Sequence, residues 1–208
     1  MRILAITPIQ VSDEELARRQ ARYDRLAPPG VTVRLEHLLD GPRALNTAAE
    51  IVASEARLLE RYAAADISEV DGFLPDCVLD PVVDHAASLP RPVFGIGRLS
   101  AHFAAGFAVR LGAVARNEAI AAELDRKLAS YGLAHAPTAV MNLSVEDIAD
   151  DATWAAAVGR TVGGLAADVV INACSAVDVT PAARGPVLLD PTETALRLIA
   201  LRYVGAAR

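Results

Sequence analysis

The residues of this chain best suited to proton-transfer chemistry are its two cysteines, Cys77 and Cys174. Each closes a segment of the same kind, DGFLPDC from Asp71 and DVVINAC from Asp168, in opposite halves of the sequence. An unperturbed thiol titrates at a pKa of about 8.5, so near neutrality one cysteine can act as a thiolate base while the other stays protonated as an acid. A pair divided in this way can invert a carbon stereocentre. One member removes the α-proton from one face, and the other delivers a proton to the opposite face. Backbone N–H groups and hydroxyls can hold the enolate-like intermediate without a metal or pyridoxal cofactor. Val78 and Ser175, which directly follow the cysteines, open the loops that could supply such donors. Free cysteines also fill space in cores, and composition alone favours that account. Their matched positions at two strand ends, where inert packing residues are less expected, put the catalytic account on an equal footing.

The elements that must position the thiols follow a βα rhythm. RILAITP reads as a strand, and Asp13 to Ala27 as a helix with Ser12 as its N-cap, stopped by Pro28 to Gly30. VTVRLEHL alternates as a second strand, and Ala44 to Ala65 forms an Ala-rich helix. DGFLPDC and RPVFGIG are expected to be buried strands around a short helix near PVVDHAASL. The strands FAVRLGAV, TAVMNL, DVVINAC and GPVLLD then alternate with helices in NEAIAAELDRKLASYGL and DDATWAAAVGRTVGGLAA. Strands alternating with helices imply parallel sheets covered on both faces.

The rhythm also repeats on a larger scale. DGFLPDC lies over DVVINAC at an offset of about 97 residues, and PVFGIGRLSAHFAAGF over PVLLDPTETALRLIAL at about 94. The expected fold is therefore α/β, with two pseudosymmetric lobes, each a parallel sheet flanked by helices. Residues 1–105 form the first lobe, completed by a C-terminal helix over 192–208, and residues 106–191 form the second. In open α/β sheets, sites collect at the carboxyl ends of strands, which places the active site in the cleft between the lobes.

Composition narrows the partners. The chain has 208 residues, is 53% hydrophobic and carries a net charge of −6 with no basic cluster, which argues against nucleic acid and anionic lipid. MRILAITPI is too short and too soon followed by Asp13, Glu14 and Glu15 for a secretory signal, and no apolar run is long enough to span a membrane. Two cysteines make a poor disulfide framework and suit a cytosolic, reducing compartment. The expected partner is a small-molecule substrate, and the Ala-rich helices could support a homo-oligomer.

At this level of detail the chain resembles a family. CVLDPVVDHAASLPRPVFGIGRLSAHFAA, from Cys77, is similar to the hydantoin racemase pattern of Cys, Asp-Pro and Pro-Val-x-Gly-Ile-Gly before a helix. DVVINACSAVD followed by GPVLLDPTETALRLIA resembles that family's second cysteine segment and terminal run. The wider group is the aspartate/glutamate racemase superfamily, which includes allantoin racemases, maleate isomerases and arylmalonate decarboxylases. The resemblance spans nearly the whole chain and implies a two-lobed fold, no cofactor or metal, and a site between the lobes holding Cys77 and Cys174. It implies a racemase or epimerase of a small hydantoin- or allantoin-like stereocentre, acting on amino acid derivatives. The loops at Thr7 and Gly112, with the backbone N–H groups of Val78 and Ser175 and the Ser175 hydroxyl, would hold its oxygens.

The chain departs from the family pattern in its binding loops. Thr7-Pro8-Ile9 stands where hydantoin racemases usually carry Asn-Pro-Asn, and Arg110-Leu111-Gly112 where they commonly place a Thr pair. Asp76 would disfavour a Cys77 thiolate on close approach, although alternation along a strand would turn the two side chains to opposite faces. Three other readings remain open: a maleate-type isomerase with Cys77 as nucleophile, a decarboxylase needing one cysteine, and a silent small-molecule binding protein. Gly95-Ile96-Gly97 lacks the third glycine of a dinucleotide loop, with Ser100 in its place. Asp80, Asp84 and His85 lack paired metal-site spacing, and a helix cap with a solvated face explains them more simply. His37, His102 and His135 are isolated, and Trp154 reads as helix packing.

Overall fold

The computed structural model describes residues 1–107, 110–179 and 185–204. Ala108 and Val109 of the FAVRLGAV segment, and residues 205–208 of the expected C-terminal helix, lie outside the described residues. The first half contains β1 (Arg2–Thr7), α1 (Asp13–Leu26), β2 (Thr32–His37), α2 (Ala48–Ala63), β3 (Gly72–Pro75), a 3₁₀ turn (Val83–Ser88) and α3 (Ile96–Ala105). The second contains β4 (Leu111–Ala115), α4 (Glu118–Ser130), β5 (Ala139–Val140), α5 (Asp151–Val162), β6 (Val169–Asn172), β7 (Val187–Leu189) and α6 (Pro191–Val204). A second 3₁₀ turn, Glu146–Ala149, precedes α5.

The strands form two parallel sheets flanked by helices, in the orders β2-β1-β3 and β5-β4-β6-β7. The 97-residue offset that superimposes the two cysteines carries β3 onto β6 end to end. RPVFGIG does not form the expected strand: only Val93 pairs, in a single parallel bridge to Phe73, at the edge where the second sheet has β7. The chain leaves the ladder there because Gly95 already serves as the N-cap of α3.

Period-2 alternation sorts the strand residues between three apolar clusters. Ile3, Ala5 and Leu74 from the first sheet join Leu111, Ala113 and Ile171 from the second in one continuous core. Leu4, Ile6 and Phe73 turn the other way, onto Leu58 and Tyr62 of α2. Val114 and Val170 likewise turn outward onto Trp154 and Val158 of α5. The inner faces of both sheets thus share a core, and α6 returns from the end of the chain to pack on α3 and touch α1.

Helix starts follow local capping chemistry. Ser12 accepts from the Glu15 N–H at 3.2 Å, and Asn117 accepts from the Ile120 N–H at 2.9 Å; such caps stabilise by about 1 kcal/mol each. The second helix starts at Ala48 rather than Ala44, because Thr47 and Glu50 form a reciprocal capping box. This leaves residues 44–46 as a loop that approaches the other sheet.

The GIG motif has a steric role rather than a phosphate-binding one. A Cβ on Gly97 would lie 2.1 Å from the Val78 carbonyl oxygen, so the start of α3 can seat beneath the Cys77 loop only with glycine at that position. Gly97→Ala should destabilise the fold by roughly 1–3 kcal/mol, the range for overpacking, measured as a lowered denaturation midpoint. A neutral result would mean that the loop is not seated on α3 as described.

Candidate active site

The carboxyl ends of β1, β3, β4 and β6 converge on one small cavity of ≈ 70 Å³. Cys77 and Cys174 both line it, as do Val78 and Ser175. Each cysteine lies two residues past the end of its strand and is partly exposed. The ladder is extended in the same way on both sides: the Asp76 N–H donates to Ile6 O at 3.0 Å and the Ala173 N–H to Val114 O at 2.9 Å. The symmetry reaches the sulfurs, where the N–H two residues on, from Leu79 and Ala176 respectively, donates to each thiol. A direct bond joins the two loops, with Ser175 Oγ donating to the Asp76 carbonyl at 3.0 Å.

The other two expected binding residues are placed differently. Gly112 lies in the middle of β4 rather than in a loop, and it faces outward because residues 111, 113 and 115 take the inner positions. A Cβ there would meet Ala167 and Val170, not the cavity. The carboxyl end of β4 is Ala115, and the residue it presents to the cavity is Arg116. Thr7 ends β1 fully buried beneath the site, its hydroxyl donating to Asp76 Oδ2 at 2.7 Å. The Ser175 hydroxyl proton is likewise committed to Asp76 O, which leaves the Ser175 N–H as the donor free of an acceptor among the described residues.

Asp76 corrects a further expectation. Strand geometry ends at Pro75, so alternation no longer separates Asp76 from Cys77, and both line the cavity. The Asp76 carboxylate is buried and accepts from Thr7, from Tyr23 Oη at 2.8 Å and from Arg19 Nη1 at 3.4 Å. Arg19 is also held by Glu15, at 2.6 Å from Nε. Sequence reading missed Arg19, Arg22 and Arg116. The signal for the first two was a row of arginines, 18, 19, 22 and 25, at helical spacing on α1. Arg18 Nη1 donates to Ala176 O at 3.1 Å, and Arg22 donates to Ser175 O at 3.0 Å and pairs with Asp178 and Asp190.

The Asp/Glu/Hydantoin racemase family profile matches residues 12–199. The chain belongs to the Asp/Glu/hydantoin racemase family. No curated protein sequence matches it. Among solved structures, it is similar to an allantoin racemase from Klebsiella pneumoniae, with a TM-score of 0.81 and 20% identity over 99% of this chain and 89% of that one. An allantoin racemase from Pseudomonas fluorescens has a TM-score of 0.81 and 17% identity, over 100% of this chain and 92% of that one. A maleate isomerase from Pseudomonas putida S16 has a TM-score of 0.65 and 13% identity, over 97% and 92% respectively. At these identities the likeness establishes the two-lobed fold, and members of the family are racemases and isomerases. Among the described residues, no helix is long and apolar enough to cross a membrane.

The family's pseudosymmetric backbone here carries an asymmetric electrostatic field. Burial pushes the Cys77 thiol up to about 12, with the Asp76 and Asp80 charges adding to the rise against the Leu79 N–H. Burial raises Cys174 as well, with the Asp76 charge adding to the rise, but Arg19, the Ala176 N–H and Arg22 oppose it. The segment equivalent to Asp76 in the second lobe is Ala173, which brings no charge. Asp80 itself is pushed up to about 6 by burial, although it accepts from Tyr131 Oη at 2.7 Å and from the Gly97 N–H at 2.8 Å.

Rising pH should therefore ionise Cys174 before Cys77. Iodoacetamide labelling followed by peptide mass mapping should show Cys174 reacting at lower pH. Arg19→Gln should move its midpoint upward, and Asp76→Asn should move both midpoints downward; identical profiles for the two cysteines would contradict this asymmetry. Stability follows the same shifts. The unfolded chain ionises its thiols before the folded chain does, so their contribution is complete below the ordinary thiol range and is lost as pH climbs toward about 12.

Proposed function

We propose that the protein is a cofactor-independent racemase or epimerase that inverts a small carbonyl-activated stereocentre, with Cys77 and Cys174 as opposed acid and base. The observation that carries this reading is the presence of both thiols on one cavity at equivalent strand ends, each with an N–H donor aimed at its sulfur. The Cys174 thiolate, favoured by Arg19, takes the α-proton and becomes a thiol. The carbon passes through an enolate-like state, and the Cys77 thiol gives its proton to the opposite face and is left as a thiolate. The other enantiomer runs with the roles exchanged. Opposite protonation states are required at every turn, and the unequal surroundings of the two sulfurs make Cys174 the one that ionises first.

Charge on the intermediate's oxygen needs fixed donors. The N–H groups of Val78 and Ser175 adjoin the two sulfurs and have no acceptor among the described residues, so they are the assigned oxygen-binding groups. Neither proton transfer calls for a metal or an organic cofactor. A cytosolic setting suits the enzyme, because a reducing compartment keeps both thiols free. Hydantoin-like and allantoin-like rings, and other amino acid derivatives, are the first compounds to assay.

The test is exchange of the substrate α-hydrogen in deuterium oxide, followed by proton NMR and chiral chromatography. The wild type should exchange and racemise, and Cys77→Ala and Cys174→Ala should each lose racemisation by roughly 10²–10⁴-fold, the usual worth of a positioned acid or base. One-sided exchange surviving in a single variant would identify the base for that enantiomer. Full turnover by either variant would exclude the two-base mechanism, and tight binding without exchange would mark a binding protein.

A further inference from the structure

Arg116 is the cavity cation that forms no ion pair among the described residues. It follows β4, is only 4% exposed and lines the cavity beside both cysteines. Its Nη2 donates to Leu45 O at 3.2 Å and Asn46 Oδ1 at 2.9 Å, and Nη1 donates to Leu143 O at 3.3 Å. All three acceptors are neutral, and Arg116 forms no ion pair among the described residues. A guanidinium has five N–H groups, so donors remain unused. Arg19, by contrast, is compensated by Glu15 and Asp76. Buried charges are ordinarily paired, and the Arg–carboxylate contact is the strongest common pairing. The charges acting most on Arg116 are the Cys174 thiolate, when formed, and then the carboxylates of Glu146, Glu50 and Asp147, but none of these carboxylates forms an ion pair with it.

The rest of the wall narrows the ligand further. Ile9, Leu45, Ile120, Val145 and Ile148 present aliphatic side chains to the cavity. They fit an apolar substituent on the reacting carbon, which allantoin does not carry. Asp76, the only carboxylate on the wall among the described residues, already accepts from Thr7, Tyr23 and Arg19 and is not free to receive a substrate ammonium.

We infer that the cavity takes a small carboxylate monoanion with an apolar substituent on its reacting carbon and no free ammonium group, and that Arg116 binds the carboxylate. The inference rests on the racemase reading for the reacting carbon, which Cys77 and Cys174 would flank. It adds a role for Arg116 in catalysis through specificity: charge building on the carboxylate as the α-proton leaves would be met by a cation already in place.

A matched set of compounds tests it: N-carbamoyl-leucine, its uncharged cyclised form 5-isobutylhydantoin, free leucine and allantoin. Wild type should bind and exchange N-carbamoyl-leucine best. Arg116→Gln should raise its KM, and its Kd by calorimetry, by about 10- to 100-fold, the loss expected for a charge-assisted contact, with a smaller change in kcat. Values for 5-isobutylhydantoin should shift by less than about threefold, and Arg116→Lys should recover part of the carboxylate affinity. Thermal unfolding of each variant separates misfolding from lost recognition, and the lysine variant keeps the buried charge if the glutamine variant fails to fold. Preference for the hydantoin or allantoin, with carboxylate binding independent of Arg116, would overturn the inference and leave the racemase reading intact. Arg116-dependent carboxylate binding with no exchange of any compound would uphold the subsite and overturn the racemase reading. Failure to bind the carboxylate at all would overturn the inference.

Discussion

The buried charge of Asp76 is the constraint around which the site is organised. A carboxylate removed from water must be met by donors or by an opposite charge, and here three donors arrive from two elements: Thr7 from β1, and Tyr23 and Arg19 from α1. Burial and Asp76 push the Tyr23 phenol well above its ordinary value, so it remains a donor. Burial opposes the charge of Arg19, and Asp76 and Glu15 more than offset that cost. Removing one partner from such an arrangement typically costs about 3–5 kcal/mol, because the remaining charge is stranded. Fixing Asp76 also fixes its neighbour Cys77, and through the carbonyl that accepts from Ser175 it fixes the start of the second cysteine loop.

The two halves keep the same backbone and differ in charge. Strand ends, ladder extensions and N–H-to-sulfur contacts recur in both, as expected for two copies of one supersecondary plan. Asp76 and Ala173 do not match: Asp76 disfavours the thiolate of both cysteines, and the arginines on α1 offset part of that rise at Cys174. A perfectly symmetric pair would give both sulfurs the same proton affinity and no built-in preference for the mixed state. Breaking the symmetry with a buried anion and an adjacent cation gives the two sulfurs different proton affinities, as the proposed mechanism would need, without altering the geometry that places the thiols.

Much of this architecture is legible in the sequence because its signals are local. Alternating strands, Ala-rich helices, the Ser12 cap and the repeated cysteine segments each depend on neighbours in the chain, and the 97-residue offset joined the halves. What stayed hidden depends on where strands stop. The sequence places Gly112 in a loop because it does not mark where β4 starts; a shift of the strand by a few residues exchanges Gly112 for Arg116 at the carboxyl end. Alternation extended past Pro75 turns Asp76 away from Cys77, but the strand ends at Pro75. RPVFGIG has strand composition, but helix capping at Gly95 removed it from the ladder. The roles of Arg19 and Arg116 arise from contacts with residues distant in sequence, and a single arginine after a strand carries no pattern to mark it.

The proposed two-base chemistry would need a fixed separation between the sulfurs, and the way the loops are held supplies one. The Cys77 loop contains two non-glycine residues in the left-handed region, Asp80 with φ 52° and Val82 with φ 61°. For a β-branched residue such as Val82 that conformation costs on the order of 1–3 kcal/mol and persists only when its surroundings enforce it. Glu55 accepts from the Val82 N–H at 2.8 Å, and the remaining restraint comes from the opposite half: Tyr131, which caps α4, donates to Asp80, and Lys127 of α4 pairs with Asp84 at 2.8 Å. The converse holds for the Cys174 loop, whose carbonyls and Asp178 are gripped by Arg18 and Arg22 of α1. The first helix of each half therefore restrains the cysteine loop of the other. Opening the cleft would break both sets of contacts together, so the strain at Val82 is balanced by cross-lobe bonds that also resist any drift of one thiol relative to its counterpart.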